Sequence, residues 1–330
     1  ERGTDYFTLS NTHVRSAAFF ANATYSWKGR YTLNGTVRYE GSNRLGKARS
    51  ARWLPTWNVS GAWNVHEEAW FAKTFKDVLS HATLKASYSL TGDKPAVTNS
   101  QIIIESTNIW RPFASDKESG LEVYRFANPD LTYEKKHELN LGVDLGFFKN
   151  RINVTLDWYT RNNFDEMGPM ITQGIGGTVI RPANVAEMKS NGMELSISST
   201  NIRTKDFSWS TSFVYSYTNS EITKLYNQGR VIELVSGNGF AKKGYPARAL
   251  FSIPFAGINS EGIPMLVNEK GQITTDNINF QERNHTDFLK YEGPTDPKYT
   301  GSLGNVFSYK GFHLNVFLTY SFGNVVRLDP

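Results

Sequence analysis

The chain has 330 residues, 36 basic against 31 acidic side chains for a net charge of +5, and 14% aromatic residues. So many aromatics exclude a disordered chain, and the mild, dispersed charge reads as a solvated surface rather than a nucleic-acid-binding patch. The absence of cysteine excludes disulfide frameworks, zinc–thiolate centres and cysteine nucleophiles, and no run approaches the ~18 apolar residues of a membrane-spanning helix, although a transmembrane β-barrel, whose strands alternate, stays open.

The opening residues Glu1-Arg2-Gly3-Thr4 carry no initiator methionine, basic n-region or apolar h-region, so a processed or internal stretch is expected. A weak period-two pattern over 17–27 leads into the turn Lys28-Gly29-Arg30 and a clearer strand over 31–39. After a connection near 41–52 comes another weak strand over 57–65. Residues 67–80 differ, because Trp70, Phe71, Phe75, Val78 and Leu79 fall at helix-like spacing and predict a short helix or irregular connector. Strands follow over 84–90 and, beyond a long connection at 92–131, over 139–145, where Leu139, Leu141, Val143 and Leu145 alternate with Asn140, Gly142, Asp144 and Gly146.

The turn Phe148-Lys149-Asn150 precedes Ile152, Val154, Leu156 and Trp158 on one face, with Asn153, Thr155, Asp157 and Tyr159 on the other. A connection at 165–190, a strand at 193–197, the turn Thr204-Lys205-Asp206 and a strand at 207–217 come next. The longest connection, 222–299, leads to the last hairpin, 301–307 and 312–322 around Tyr309-Lys310-Gly311. This makes about ten strands, longer than those of soluble sheets, with short Lys-, Gly- or Asn-bearing turns alternating with long connections. Such asymmetry suits a membrane barrel, with short turns on one side and long loops on the other.

A soluble sandwich also alternates, so the positions of charges and aromatics matter more. Arg38, Lys85, Asp144, Asp157 and Glu194 all fall on the polar phase. Trp27, Tyr31, Tyr39, Trp158, Tyr217, Tyr320 and Phe322 gather toward the ends of the apolar phase, as an interfacial aromatic girdle requires.

Several segments resemble the SusC/RagA-type TonB-dependent transporters of Bacteroidota outer membranes. The run from Arg38 through Gly46 is similar to the family's DGSSRFG segment, with Glu40 for Asp, Asn43 for Ser and Leu45 for Phe. Pro55 through Trp63 with Glu68, and Leu84 through Asp93, resemble two further family strands. The most specific likeness is Asn128-Pro129-Asp130-Leu131-Thr132-Tyr133-Glu134, continuing through Asn140, Gly142, Asp144, Gly146, Phe148, Arg151, Asp157, Trp158 and Tyr159. Asn191 through Leu195, Gly257 through Pro264 and Tyr309 through Phe312 complete the series in order.

The resemblance implies an all-β transmembrane antiparallel barrel of about 22 strands around a plug. It also implies a TonB-binding segment, a SusD-like surface lipoprotein lid and import of oligosaccharides or oligopeptides. Residues 1–330 show no plug motif, so they are expected to form a barrel portion of about ten strands, with long extracellular loops near 92–131, 165–190 and 222–299.

No HExxH, P-loop or GxSxG occurs, and Gly174-Ile175-Gly176-Gly177 lacks dinucleotide-loop spacing. The six histidines are scattered, and Asn268-Glu269-Lys270-Gly271 reads as a hairpin tip rather than a calcium loop. Asp93, Glu105, Asp116, Glu118 and Glu122 read as solvated loop charges. No enzyme activity, metal or cofactor is expected. The candidate contacts for substrate or lid are Trp110, Arg111, Phe113, Tyr124, Arg125 and Phe126, which combine stacking faces with fork-shaped donors. Tyr226, Phe240, Tyr245, Phe251 and Phe255 form a second loop group, open to ligand contact or to packing within the loop. The alternative function is a surface β-protein that binds glycan or protein without transport.

Overall fold

The computed structural model describes residues 13–75, 78–94, 102–109, 118–171, 180–237 and 239–328. In chain order the strands are β1 (Ser16–Trp27), β2 (Tyr31–Ser42), β3 (Trp53–Asn64), β4 (Leu79–Asp93), β5 (Ile103–Ile109), β6 (Glu118–Arg125), β7 (Glu134–Phe147), β8 (Ile152–Ile171), β9 (Ile180–Arg203) and β10 (Phe207–Leu225). Then come β11 (Ala249–Ser252), β12 (Phe255–Ile258), β13 (Pro264–Val267), β14 (Ile273–Thr274), β15 (Lys290–Pro294), β16 (Tyr299–Tyr309) and β17 (Phe312–Phe322). Ten of them form one antiparallel sheet in the order β1-β2-β3-β4-β7-β8-β9-β10-β16-β17, an up-and-down meander.

Four tight turns close one end of the sheet. At the first, the Arg30 N–H donates to the Trp27 carbonyl (3.0 Å), with Lys28 and Gly29 at φ 52° and 70°. Both central residues in the left-handed region give the mirror-image turn whose twist matches the strands it joins. The expected connector also lies at this end, as a 3₁₀ turn (Val65–Glu67) and a short helix, α2 (Phe71–Phe75). Among the described residues the longer connections sit at the opposite end, with two further short helices there, α1 (Arg49–Arg52) and α3 (Val231–Val235).

Cross-strand register sorts the residues into two faces. Leu33, Gly61, Ala86, Leu141 and Trp158 follow one another across β2, β3, β4, β7 and β8, with Tyr31, Trp63, Leu84, Val143 and Leu156 in the next row of the same face. The other face carries the row Asn34, Ser60, Ser87, Asn140 and Tyr159. The apolar face is the exposed one: Leu33, Leu84, Leu141, Leu156 and Trp158 stand open while Thr83, Ser89 and Tyr159 are buried. A water-soluble sandwich hides its apolar phase, and a continuous exposed apolar surface of this extent requires lipid. Ion pairs and hydroxyls occupy the inner face, as in a wet barrel lumen.

Pairing continues past the boundary that alternation predicts near 165. β8 runs to Ile171 and β9 begins at Ile180, so most of 165–190 is a long hairpin rather than a loop. The cause is a bulge: Asp165 has φ 59°, and the register slips between Asn163 and Glu166 and again before Met167. The extra residue shifts the phase and hides the alternation from a period-two reading. β8, β9 and β10 have 20, 24 and 19 residues, well beyond the ~9–11 needed to cross a bilayer, so they project on the long-loop side.

Candidate functional site

The inner face is a lattice of paired charges. Arg38 reaches Glu40 at 2.5 Å, Lys136 and Arg161 both reach Glu138 at 2.9 Å, and Lys85 meets Asp144 at 2.8 Å while the Thr155 hydroxyl donates to the same carboxylate at 2.9 Å. Of the five strand charges read from the sequence, Arg38, Lys85 and Asp144 are neutralised in this way. Asp157 and Glu194 stand opposite each other on β8 and β9, without an ion pair among the described residues. Tyr159 lies across Gly192, where a Cβ would sit 2.4 Å from its hydroxyl oxygen, and shares a 2.7 Å hydrogen bond with Thr218 on β10. The Arg161 guanidinium stacks 3.9 Å above that ring. Such a wall presents paired charges and hydroxyls to water. No group of three metal-ligating side chains occurs among the described residues.

At the short-turn end, Trp27, Tyr31 and Trp63 stack with ring centroids 5.7 and 6.1 Å apart. The polar edges of Tyr31 and Trp63 point to Glu68, which accepts from the Tyr31 hydroxyl (2.7 Å), the Trp63 indole (3.2 Å) and Arg30 (3.2 Å). The Tyr31 hydroxyl, with Trp63 and Arg30 behind it, holds the Glu68 carboxyl below the usual range. At the other end Tyr39 stacks on Trp53 (5.0 Å), and Tyr299 on Phe322 (4.9 Å). Aromatic rows at both ends of an exposed apolar band are the girdles of a membrane barrel.

The long-loop end is packed. Leu45, Leu54, Leu131 and Tyr133 form one buried cluster with Met167 against it. Burial pushes the Tyr133 hydroxyl up to about 12. Residues 226–298 hold a second cluster of Val231, Leu234, Ala249, Phe251 and Leu289 beneath Tyr245 and Tyr291. Arg230 opens α3 by donating its backbone N–H to Glu233 (2.7 Å); burial raises that carboxyl, but the Arg230 guanidinium and N–H outweigh it and hold the group low. Buried Asn268 accepts from the N–H groups of Lys270 (3.0 Å) and Gln272 (2.9 Å), building the expected hairpin tip between β13 and β14. Arg327, beyond β17, ties this cap down by donating to the carbonyls of Val235 and Phe251.

Of the residues nominated for ligand or lid contact, Trp110, Arg111 and Phe113 lie outside the described residues. Tyr124 and Arg125 end β6 in a hairpin with β5, their side chains again outside the described set, and Phe126 follows half-buried. In the second group Phe251 is core, and Tyr245 and Phe240 pack against it; Tyr226 and Phe255 are exposed. A 340 Å³ cavity between the projecting hairpin and the cap, lined by Met167, Val185, Ile222, Phe240 and Glu233, was not foreseen. The alternation of buried Ala183 and Val185 was its one legible sign, inside a stretch read as loop.

An inverted sheet, polar toward a lumen and apolar toward lipid, with its folded extras at one end, defines a section of an outer-membrane β-barrel. Residues 2–329 match the family described as TonB dependent receptor-like, beta-barrel, and the chain belongs to that family, whose members reside in the outer membrane. It is 27% identical to the TonB-dependent receptor SusC of Bacteroides thetaiotaomicron, over 98% of this chain and 32% of that protein. A TonB-dependent receptor of Formosa agariphila is 31% identical over 72% of this chain and 21% of its own length. Among solved structures, the RagAB peptide transporter superposes with a TM-score of 0.78 at 25% identity, covering 94% of this chain and 33% of that one. The chain therefore spans about a third of the length of SusC and of the RagAB chain.

Proposed function

We propose that this chain forms part of the wall and outer cap of an importer that carries oligosaccharides or oligopeptides across the outer membrane. Energy arrives through TonB, and a SusD-like lipoprotein closes over the long-loop end. The observation that carries this reading is the division of the molecule. A charge-paired inner face suits a wet passage, and the cap of residues 226–298 with the projecting β8–β9 hairpin lies at one end, where cargo is captured before it enters. Loop aromatics Trp110, Phe113, Tyr124 and Phe126, beside Arg111 and Arg125, supply stacking faces and bidentate donors for that capture. The work is binding and passage, and the family is one of receptors and transporters rather than enzymes.

Because RagAB is described as a peptide transporter, oligopeptides are the first class to test. Cells lacking the full-length receptor gene, complemented with it or with an empty vector, are given labelled oligopeptides or oligosaccharides, with TonB present or absent. Periplasmic accumulation that needs both receptor and TonB supports the proposal. Surface binding without accumulation overturns it in favour of a non-transporting binder.

A further inference from the structure

The outer face is not evenly covered. Gly61 and Ala86, paired across β3 and β4, form the floor of an apolar groove of about 1000 Å³ walled by Leu33, Trp63, Leu141 and Trp158. That volume is at the upper end of the ~300–1,000 Å³ of small-molecule pockets. A glycine inside a strand weakens it and ordinarily marks a bulge, a close backbone approach or a ligand. At Gly61 the register runs unbroken on both sides, and the nearest atom to an added Cβ is the Thr32 carbonyl at 3.9 Å. Neither a bulge nor a backbone contact accounts for this glycine.

Depth and charge indicate the occupant. Gly61 lies three residues from the end of β3, about 10 Å at strand rise. The hydrocarbon of one leaflet is about 15 Å thick, so the groove opens into the leaflet on the short-turn side. That rim is cationic: the four tight turns carry Lys28, Arg30, Lys149, Arg151, Arg203, Lys205 and Lys310 against Asp206. The wider connection adds Glu67, Glu68 and Asp77 against Lys73 and Lys76, and Glu68 is already engaged by Arg30. Beside the groove, Lys28 sits 5.0 Å over the Trp27 ring, with no carboxylate partner among the described residues. Basic side chains next to a membrane surface attract anionic headgroups.

We propose that the groove holds an acyl chain of one glycerophospholipid of the short-turn leaflet, its phosphate seated at Lys28. The lipid fills a void that would otherwise forfeit dispersion contacts on one side. The full-length receptor, extracted from outer membranes in mild detergent, is tested by native mass spectrometry with identification of the released lipid. The expected result is one retained glycerophospholipid per barrel. Its occupancy falls at least fivefold in Gly61→Leu, which fills the floor, and in Lys28→Glu, and is unchanged in Thr160→Leu elsewhere on the same face. Ala86→Leu repeats the filling test should Gly61→Leu fail to reach the membrane, and heat-modifiable gel mobility reports assembly. No retained lipid in the wild type, equal retention in the filled variants, a retained lipopolysaccharide instead, or a dimer that the filled variants abolish would each overturn the proposal.

Discussion

Truncating Phe251 to alanine separates the cap from the wall. Its ring is 1% exposed, 5.1 Å from Tyr245 and 5.7 Å from Tyr291, and Arg327 donates to its carbonyl at 3.1 Å. Removing a buried phenyl costs about 3–5 kcal/mol in lost transfer energy and cavity. At ~1.4 kcal/mol per tenfold, the open population of the cap rises by about two to four orders of magnitude. The ladder from β7 to β9 shares none of these contacts, so its stability is unchanged. Hydrogen exchange on the full-length receptor is the assay: amides of α3, β11 and β15 lose protection by that factor, while those of β7–β9 keep theirs. Undiminished protection in the cap, or loss spreading through β7–β9, would refute the claim that residues 226–298 fold around their own core.

Glu68 sets an acid limit at the short-turn end. Its carboxyl is held low in the folded state, so the folded form binds fewer protons than the unfolded one; the stabilisation is complete above the ordinary ~4.3 and disappears as pH falls through the folded value. The temperature of heat-modifiable unfolding should therefore drop below about pH 4 in the wild type and drop less in Glu68→Gln. Gly192→Ala places a Cβ 2.4 Å from the Tyr159 hydroxyl oxygen, and overpacking of that kind costs about 1–3 kcal/mol. Urea titration of the detergent-solubilised receptor should show that loss, with the Tyr159→Ala background removing only part of it, because the Tyr217 carbonyl oxygen would still lie 2.5 Å from the new Cβ. Replacing Trp110 and Phe113 together with alanine should weaken cargo capture or lid association severalfold per ring, about 1 kcal/mol each, with assembly intact. Calorimetric titration with and without the lid protein measures it, and unchanged binding would assign the two rings to loop packing.

The sheet was legible because its faces differ chemically at every second residue. Leu139 to Leu145 against Asn140 to Gly146 mark both strand and side, and Lys28-Gly29 and Lys310-Gly311 mark turns through their need for positive φ. The projecting hairpin was not legible, since the bulge at Asp165 shifts the phase by one residue and makes paired backbone look irregular. The cap was hidden for another reason. Its strands are two to five residues long, too short for periodicity, and its core residues Val231, Ala249, Phe251 and Leu289 are scattered through 59 positions. Aromatic content in that segment announced burial and exposure alike, so Phe251, a core residue, and Phe255, an exposed one, looked equivalent.

The most direct test of the central claim, that the short turns face the periplasm and the cap faces outward, is cysteine accessibility in cells. The chain contains no cysteine, so Lys243→Cys in the cap and Lys149→Cys in the β7–β8 turn can each be placed in a cysteine-free full-length receptor. With a membrane-impermeant maleimide, position 243 should label in intact cells and position 149 only after the outer membrane is permeabilised. Labelling of position 149 but not 243 in intact cells would invert the orientation and contradict the account.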